Sequence, residues 1–146
     1  MSSQTSQQEL DDAGIERLRA AAADISKNAY APYSNFFVGA ALLLQGGEVV
    51  TGCNVENASY RLTCCAEQSA VARAVSRYGP AIRIVAVAVA NANPQVACQP
   101  CGACRQTLAE FAAADCRIFY PGEGGKAGEC IMADLLPASF SAASLR

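Results

Sequence analysis

Histidine is missing from this chain of 146 residues. The absence removes the most frequent general base and the usual nitrogen ligand of zinc, so any zinc or iron site has to be assembled from Cys, Asp or Glu. Basic runs are missing as well: the 11 Lys and Arg residues are scattered and the net charge is −2. A protein that grips a phosphate backbone needs a basic stripe, so no nucleic acid is expected as a partner and a small-molecule substrate is favoured. No apolar stretch reaches the roughly 18–20 residues of a bilayer span, which predicts no membrane partner. The opening segment, MSSQTSQQELDD, has neither a basic nor an apolar signal region, and a cytoplasmic location is expected. Residues 1–11 read as a flexible tail.

What the chain holds in plenty is apolar side chains, 52% of the total, and cysteine, eight residues. That length and apolar content suit a single domain over residues 1–146 with a sizeable core. An even cysteine count can signal a disulfide framework, but such frameworks belong to short, loop-rich, core-poor secreted chains. Reduced thiols, some of them binding a metal, fit this chain better.

Hydrophobic spacing orders the elements. Ile15, Leu18, Ala22, Ile25 and Ala29 predict an amphipathic helix over about 12–29, ending before Pro32. FFVGAALLL reads as a strand buried on both faces, and EVVTGCNVE as its return after QGG, so 37–56 is a predicted hairpin. Ala66, Ala70, Ala74 and Tyr78, with Val71 and Val75, predict a helix from Cys65 to Tyr78, stopped by Gly79-Pro80. IRIVAVAVA, 82–90, is a strand; Pro100 can open a helix over about 101–113. CRIFYP and ECIM are predicted short strands, and ADLLPASF a terminal helix. The order predicts an α/β protein, a three-layer α/β/α sandwich around a mixed five-stranded sheet.

Two motifs carry the chemistry. Cys101-Gly-Ala-Cys104 at the first turn of a helix puts two sulfurs on nearly one side, where free N–H groups and the helix dipole favour thiolates. Alone this motif also suits a thioredoxin-like redox site. Its companion is Cys65-Ala66-Glu67, which also opens a predicted helix. Three thiolates and one water make a four-coordinate zinc with an open position, as catalytic zinc sites have. Glu67 is too close in sequence to Cys65 to ligate the same ion easily, but is well placed to touch the water. Cys98, Cys101 and Cys104 also start an iron–sulfur-like run, which lacks the C-x-x-x-C-P continuation.

H-x-E followed by P-C-x-x-C is the signature of zinc deaminases, with an all-cysteine variant. On PYSNFFVGAAL, GCNVENASY, CAE, PCGACRQ and LLPASF, met in that order over nearly the whole length, the chain resembles the cytidine deaminase family, in its short, homotetrameric branch. The resemblance implies one Zn²⁺ per subunit on Cys65, Cys101 and Cys104, and Glu67 as the proton carrier. The reaction it implies is hydrolytic deamination of cytidine and 2′-deoxycytidine in pyrimidine salvage. It implies Asn54 and Glu56 for the sugar hydroxyl, a pair that strand alternation puts on one face. Phe36 would stack near the base and Ala66 would contact substrate. Tyr60 would lie at a subunit contact near the sugar. Phe140 would reach a neighbour's site in a homotetramer with composite active sites.

In the all-cysteine branch an arginine commonly follows the glutamate and draws charge from the thiolates; this chain has Gln68 there. The expectation is that the Gln68 amide donates to a ligand sulfur and that Arg105 supplies part of the missing positive charge. Two other readings stay open at this stage: a structural zinc or iron–sulfur module, and a deaminase of another cytosine-containing nucleoside.

Overall fold

The computed structural model describes residues 10–146. The tail expected over 1–11 lies outside the described residues except for its last two. Of these, Asp11 caps the first helix, α1 (Asp12–Ser26), by accepting a 2.7 Å hydrogen bond from the Gly14 N–H. Helix α1 buries Leu18, Ala22 and Ser26 on one stripe, as its spacing predicts. It ends three residues earlier than the apolar pattern does, because tertiary pairing takes over the backbone: the Tyr30 N–H donates to Asn54 O and the Glu56 N–H to Tyr30 O.

The expected hairpin is β1 (Val38–Leu44) and β2 (Val49–Cys53), antiparallel, with Gly47 in the turn at φ +96°, a conformation open to glycine. After α2 (Ala66–Tyr78) comes β3 (Ile84–Asn91), then α3 (Gly102–Phe111), β4 (Ala112–Pro121), β5 (Ala127–Ile131) and the short α4 (Met132–Leu135). The sheet order is β2-β1-β3-β4-β5, with β3 and β4 parallel and the other neighbours antiparallel. A mixed five-stranded sheet is thus what the element order led us to expect.

Alternation along β1 divides the core between two faces. Ala41 packs with Leu18, Ala22, Ala86, Ala88 and Phe119 under α1. Ala40, Leu42 and Leu44 pack on the opposite face with Ala66, Ala70, Val71, Leu108 and Met132 from α2, α3 and α4. Helices therefore cover both faces, in three layers. Two boundaries depart from expectation. Strand β4 begins at Ala112 rather than near Cys116, because Ala112 pairs with Ile84 before a break in register. The terminal helix spans only Met132–Leu135, not ADLLPASF.

Candidate metal centre and active site

Both cysteine motifs stand at helix starts on the same face of the sheet. Cys65 is the N-cap of α2 and Cys101 the N-cap of α3, both with extended backbone. Cys104 follows in the first turn of α3 and is buried. Glycine fixes how closely α2 approaches the sheet. A Cβ on Gly52 would lie 2.4 Å from Ala70 N and 2.8 Å from Ala66 O, so the first turns of α2 rest directly on the β2 backbone. Ala66, between Cys65 and Glu67, is fully buried at that contact.

The three sulfurs converge. Cys65 Sγ and Cys101 Sγ are 4.0 Å apart, and Cys101 Sγ and Cys104 Sγ are 3.3 Å apart. All three lie within 4.8 Å of one another. Tetrahedral zinc with Zn–S bonds of about 2.3 Å needs sulfurs roughly 3.8 Å apart, so the set fits zinc after adjustments of up to about 1 Å. As free thiols they share their protons unequally. A hydrogen bond from Cys104, and a weaker one from Cys101, draw Cys65 down to about 6 against opposing desolvation. Cys104 is pushed up by the same pairing and by burial.

Glu67 is 4% exposed. Burial, the larger influence, raises its carboxyl above the ordinary carboxylate range, while hydrogen bonds from its own backbone N–H and from Cys104 pull the other way. A carboxyl shifted up beside a metal-ligating set is suited to both taking and giving a proton near neutral pH.

The remaining predicted residues fall into three groups. Asn54 is buried, and its amide holds the entry to β1: Oδ1 accepts from the Val38 N–H at 2.8 Å and Nδ2 donates to Phe36 O at 2.7 Å. Glu56 Oε1 accepts from the N–H groups of Tyr33 (3.0 Å) and Ser34 (3.2 Å). The Ser34 side-chain hydrogen bond leads in holding this carboxyl below its usual range. Phe36 borders a cleft of about 370 Å³ with Asn35, Phe37, Asn91 and Val96. Tyr60, 76% exposed, stands edge-on to Tyr33 with ring centroids 6.1 Å apart. Phe140, 61% exposed, is on the C-terminal segment.

Gln68 and Arg105 are placed otherwise than expected. Gln68 Oε1 accepts from the Cys65 N–H at 3.1 Å, and the Gln68 backbone N–H is directed at the Cys65 side chain, completing a capping box. Among the described residues its side-chain amide makes no hydrogen bond to a ligand sulfur. The N3 position of a helix with a Cys cap dictates this: the carboxamide reaches back to the N-cap N–H, as Glu or Gln does after Ser or Thr. Arg105 gives its donors to carbonyls, Nε to Pro100 O at 2.7 Å and Nη1 to Leu135 O at 3.1 Å.

Sequence reading missed Asn91. It is 7% exposed, donates from Nδ2 to Val96 O at 2.9 Å, and keeps an Oδ1 with no partner among the described residues. Its only sequence signal is an asparagine closing an otherwise apolar strand. Cys98 is buried, its thiol raised to about 11 mainly by desolvation, and it stands outside the sulfur cluster. The C-x-x-C-x-x-C run therefore does not gather as one ligand set.

Residues 13–120 match the family model described as the cytidine and deoxycytidylate deaminase zinc-binding region. A cytidine deaminase of Halalkalibacterium halodurans is 43% identical over 116 residues, covering 80% of this chain and 86% of its own. One from Mycobacterium tuberculosis is 42% identical over 131 residues, 90% of this chain and 92% of its own. The crystal structure of cytidine deaminase from Burkholderia pseudomallei superposes with a TM-score of 0.77 at 41% identity, covering 86% of this chain and 98% of that one. The fold and the sulfur cluster define a zinc-binding deaminase. The chain belongs to the cytidine and deoxycytidylate deaminase family.

Proposed function

We propose that this protein hydrolyses cytidine and 2′-deoxycytidine to uridine and 2′-deoxyuridine, releasing ammonia, as a step of pyrimidine salvage in the cytoplasm. The observation that carries the reading is the meeting of Cys65, Cys101 and Cys104 with the buried carboxyl of Glu67, in a chain of this family. Residues 1–146 act as one domain in this reading.

Cys65, Cys101 and Cys104 hold the zinc. When bound, zinc would supply an acidified water as nucleophile. Glu67 does the proton work. It accepts the proton that the attacking water gives up and passes it to ring N3. It then takes the remaining water proton from the hydroxyl now on C4 and delivers it to the exocyclic nitrogen, so that the C4–N bond breaks, ammonia leaves and C4 becomes a carbonyl. Burial raises the Glu67 carboxyl above its ordinary range, which suits a group that must both take and give a proton near neutral pH. In this reading Ala66, next to Glu67 in sequence, contacts the base through its backbone, and Phe36 stacks near it.

Asn54 has a dual task here. Its amide already fixes the Phe36 carbonyl and the Val38 N–H. One N–H and one acceptor lone pair remain for a sugar hydroxyl. Glu56 uses Oε1 on the backbone of Tyr33 and Ser34 and also accepts from the Ser34 side chain; a carboxylate has further lone pairs with which to accept from the same hydroxyl.

A homotetramer with composite sites completes the reading. Tyr60, Leu62, Phe140 and Tyr33 are large apolar side chains open to solvent on one chain, and subunit contacts would cover them. The direct test follows ultraviolet absorbance as cytidine becomes uridine, with and without a zinc chelator, alongside ammonia release. The expected result is chelator-sensitive conversion of cytidine and deoxycytidine, with free cytosine a poor substrate. Zinc-loaded protein that leaves cytidine untouched, or that prefers free cytosine, overturns the proposal.

A further inference from the structure

Two successive side chains of α3 leave the metal centre and tie down the far end of the chain. Arg105 directly follows Cys104. Its Nε donates to Pro100 O, the carbonyl just before Cys101, at 2.7 Å, and its Nη1 donates to Leu135 O, at the end of α4, at 3.1 Å. Gln106 Nε2 donates to Phe140 O at 3.0 Å. Pro100 is fully buried, so its carbonyl has little access to water. Leu135 ends a helix, where a carbonyl lacks an intrahelical donor. A guanidinium meets both needs at once: it is planar, always charged, and presents its N–H groups in a fixed fork.

We propose that Arg105 is a positioning residue that joins the metal site to the C-terminal segment. It holds the Pro100–Cys101 peptide in the orientation that aims Cys101 Sγ at Cys65 and Cys104. With its other arm it docks α4 and the residues behind it, including Phe140. Metal binding and docking of residues 136–146 then support each other. An ion on Cys101 and Cys104 fixes the first turn of α3 and pre-orders the Arg105 fork. A docked segment keeps that fork engaged on Pro100. Coupling of this kind is reciprocal. The inference rests on the reading that Cys101 and Cys104 are metal ligands, and it assigns Arg105 a task other than charge compensation.

The experiment uses the full-length, zinc-loaded protein and two measurements: the rate of zinc transfer to a chromophoric chelator, and hydrogen exchange along the chain. Arg105→Met keeps the length and apolar stem of the side chain and removes the donors. It should release zinc about tenfold faster, the lower end of what loss of a partner behind a metal ligand costs. Exchange should quicken over residues 136–146 and the first turn of α3, with β1 and β3 unchanged. Arg105→Lys, with one compact donor group, should fall between. Gln106→Leu should loosen only the backbone around Phe140 and transfer zinc at the wild-type rate.

Wild-type protein stripped of zinc should itself show faster exchange over 136–146. This comparison stands even if Arg105→Met does not fold, and equal protection of 136–146 with and without zinc overturns the proposal. So does wild-type zinc transfer in Arg105→Met, or exchange that rises evenly over the whole chain, or Gln106→Leu losing zinc as fast as Arg105→Met. Failure of the underlying reading looks different: Cys101→Ala would retain one tightly held zinc per chain.

Discussion

Replacing Gly52 with alanine adds one methyl group at the point where β2 carries α2. The new Cβ would sit 2.4 Å from Ala70 N and 2.8 Å from both Ala66 O and Ala70 Cα. Comfortable carbon contacts begin at about 3.5 Å, so strand and helix must separate by roughly 1 Å. All three opposing atoms are backbone, so no side chain can swing away to make room. Overpacking costs about 1–3 kcal/mol, and a rigid backbone wall puts Gly52→Ala near the upper end. For a domain of this size, about 3 kcal/mol lowers Tm by roughly 10 °C.

The functional loss should be larger than the stability loss implies. Cys65 and Glu67 ride on the first turn of the displaced helix, whereas Cys101 and Cys104 ride on α3. A 1 Å misplacement of reacting groups can cost about 100-fold in rate. Thermal unfolding by circular dichroism and cytidine turnover by ultraviolet absorbance measure the two effects on one preparation. A Gly52→Ala protein with Tm within about 2 °C of wild type and turnover within about threefold would refute the claim that this contact sets the site.

Three further outcomes are expected. Glu67→Gln should keep zinc and fold while losing about 10²- to 10⁴-fold in turnover; zinc analysis with steady-state kinetics checks it, and more than a tenth of wild-type turnover would sink the proton-carrier role. Glu56 has a folded pKa below its ordinary value, led by the Ser34 side-chain hydrogen bond. Its stabilising contribution is therefore in place above the unfolded pKa and fades as pH falls through the folded one. Denaturant titrations should show Glu56→Gln lagging wild type at neutral pH and converging with it in acid, and a gap that widens in acid contradicts the assignment. Gln68→Ala loses the side-chain half of the capping box and should cost about 1 kcal/mol, or roughly 3 °C in Tm, with zinc content unchanged. Loss of zinc in that variant would show the side-chain amide acting on the sulfurs after all.

Local signals carried far in this sequence where chemistry and periodicity coincide. The starts of α2 and α3 were legible because Cys65 and Pro100-Cys101 begin apolar helical patterns, and the hairpin because QGG interrupts two apolar runs. The opening residues of β4 were not: Ala112–Ala114 have strong helix propensity, and pairing of Ala112 with Ile84 in β3 overrides it. Similarly, α1 stops at Ser26 because Tyr30 pairs with the segment after β2, a contact its own spacing does not encode. Side-chain partners distant in sequence were the least legible. Arg105 reaches a carbonyl 30 residues away, and nothing near position 105 announces Leu135. The convergence of Cys65, Cys101 and Cys104 was readable because two cysteine motifs each open a predicted helix; an arginine carries no such local signal.

The placement of Gln68 and Arg105 changes where the positive charge around the sulfurs must come from. Three thiolates on Zn²⁺ leave a net charge of −1. Neither of the expected side chains faces that excess: Gln68 is turned to the Cys65 N–H and Arg105 to two carbonyls. What does face it is backbone. Cys65 and Cys101 cap two separate helices, and the Gln68 N–H is directed at the Cys65 side chain. Each helix N-terminus is equivalent to about +0.5 of an elementary charge. Two of them together are of the same size as the thiolate excess. On this accounting an arginine at position 68 is one way to balance three sulfurs, and a second helix N-terminus is another. The backbone solution leaves residue 68 free to cap α2, and it ties the charge balance to the close packing of α2 on Gly52.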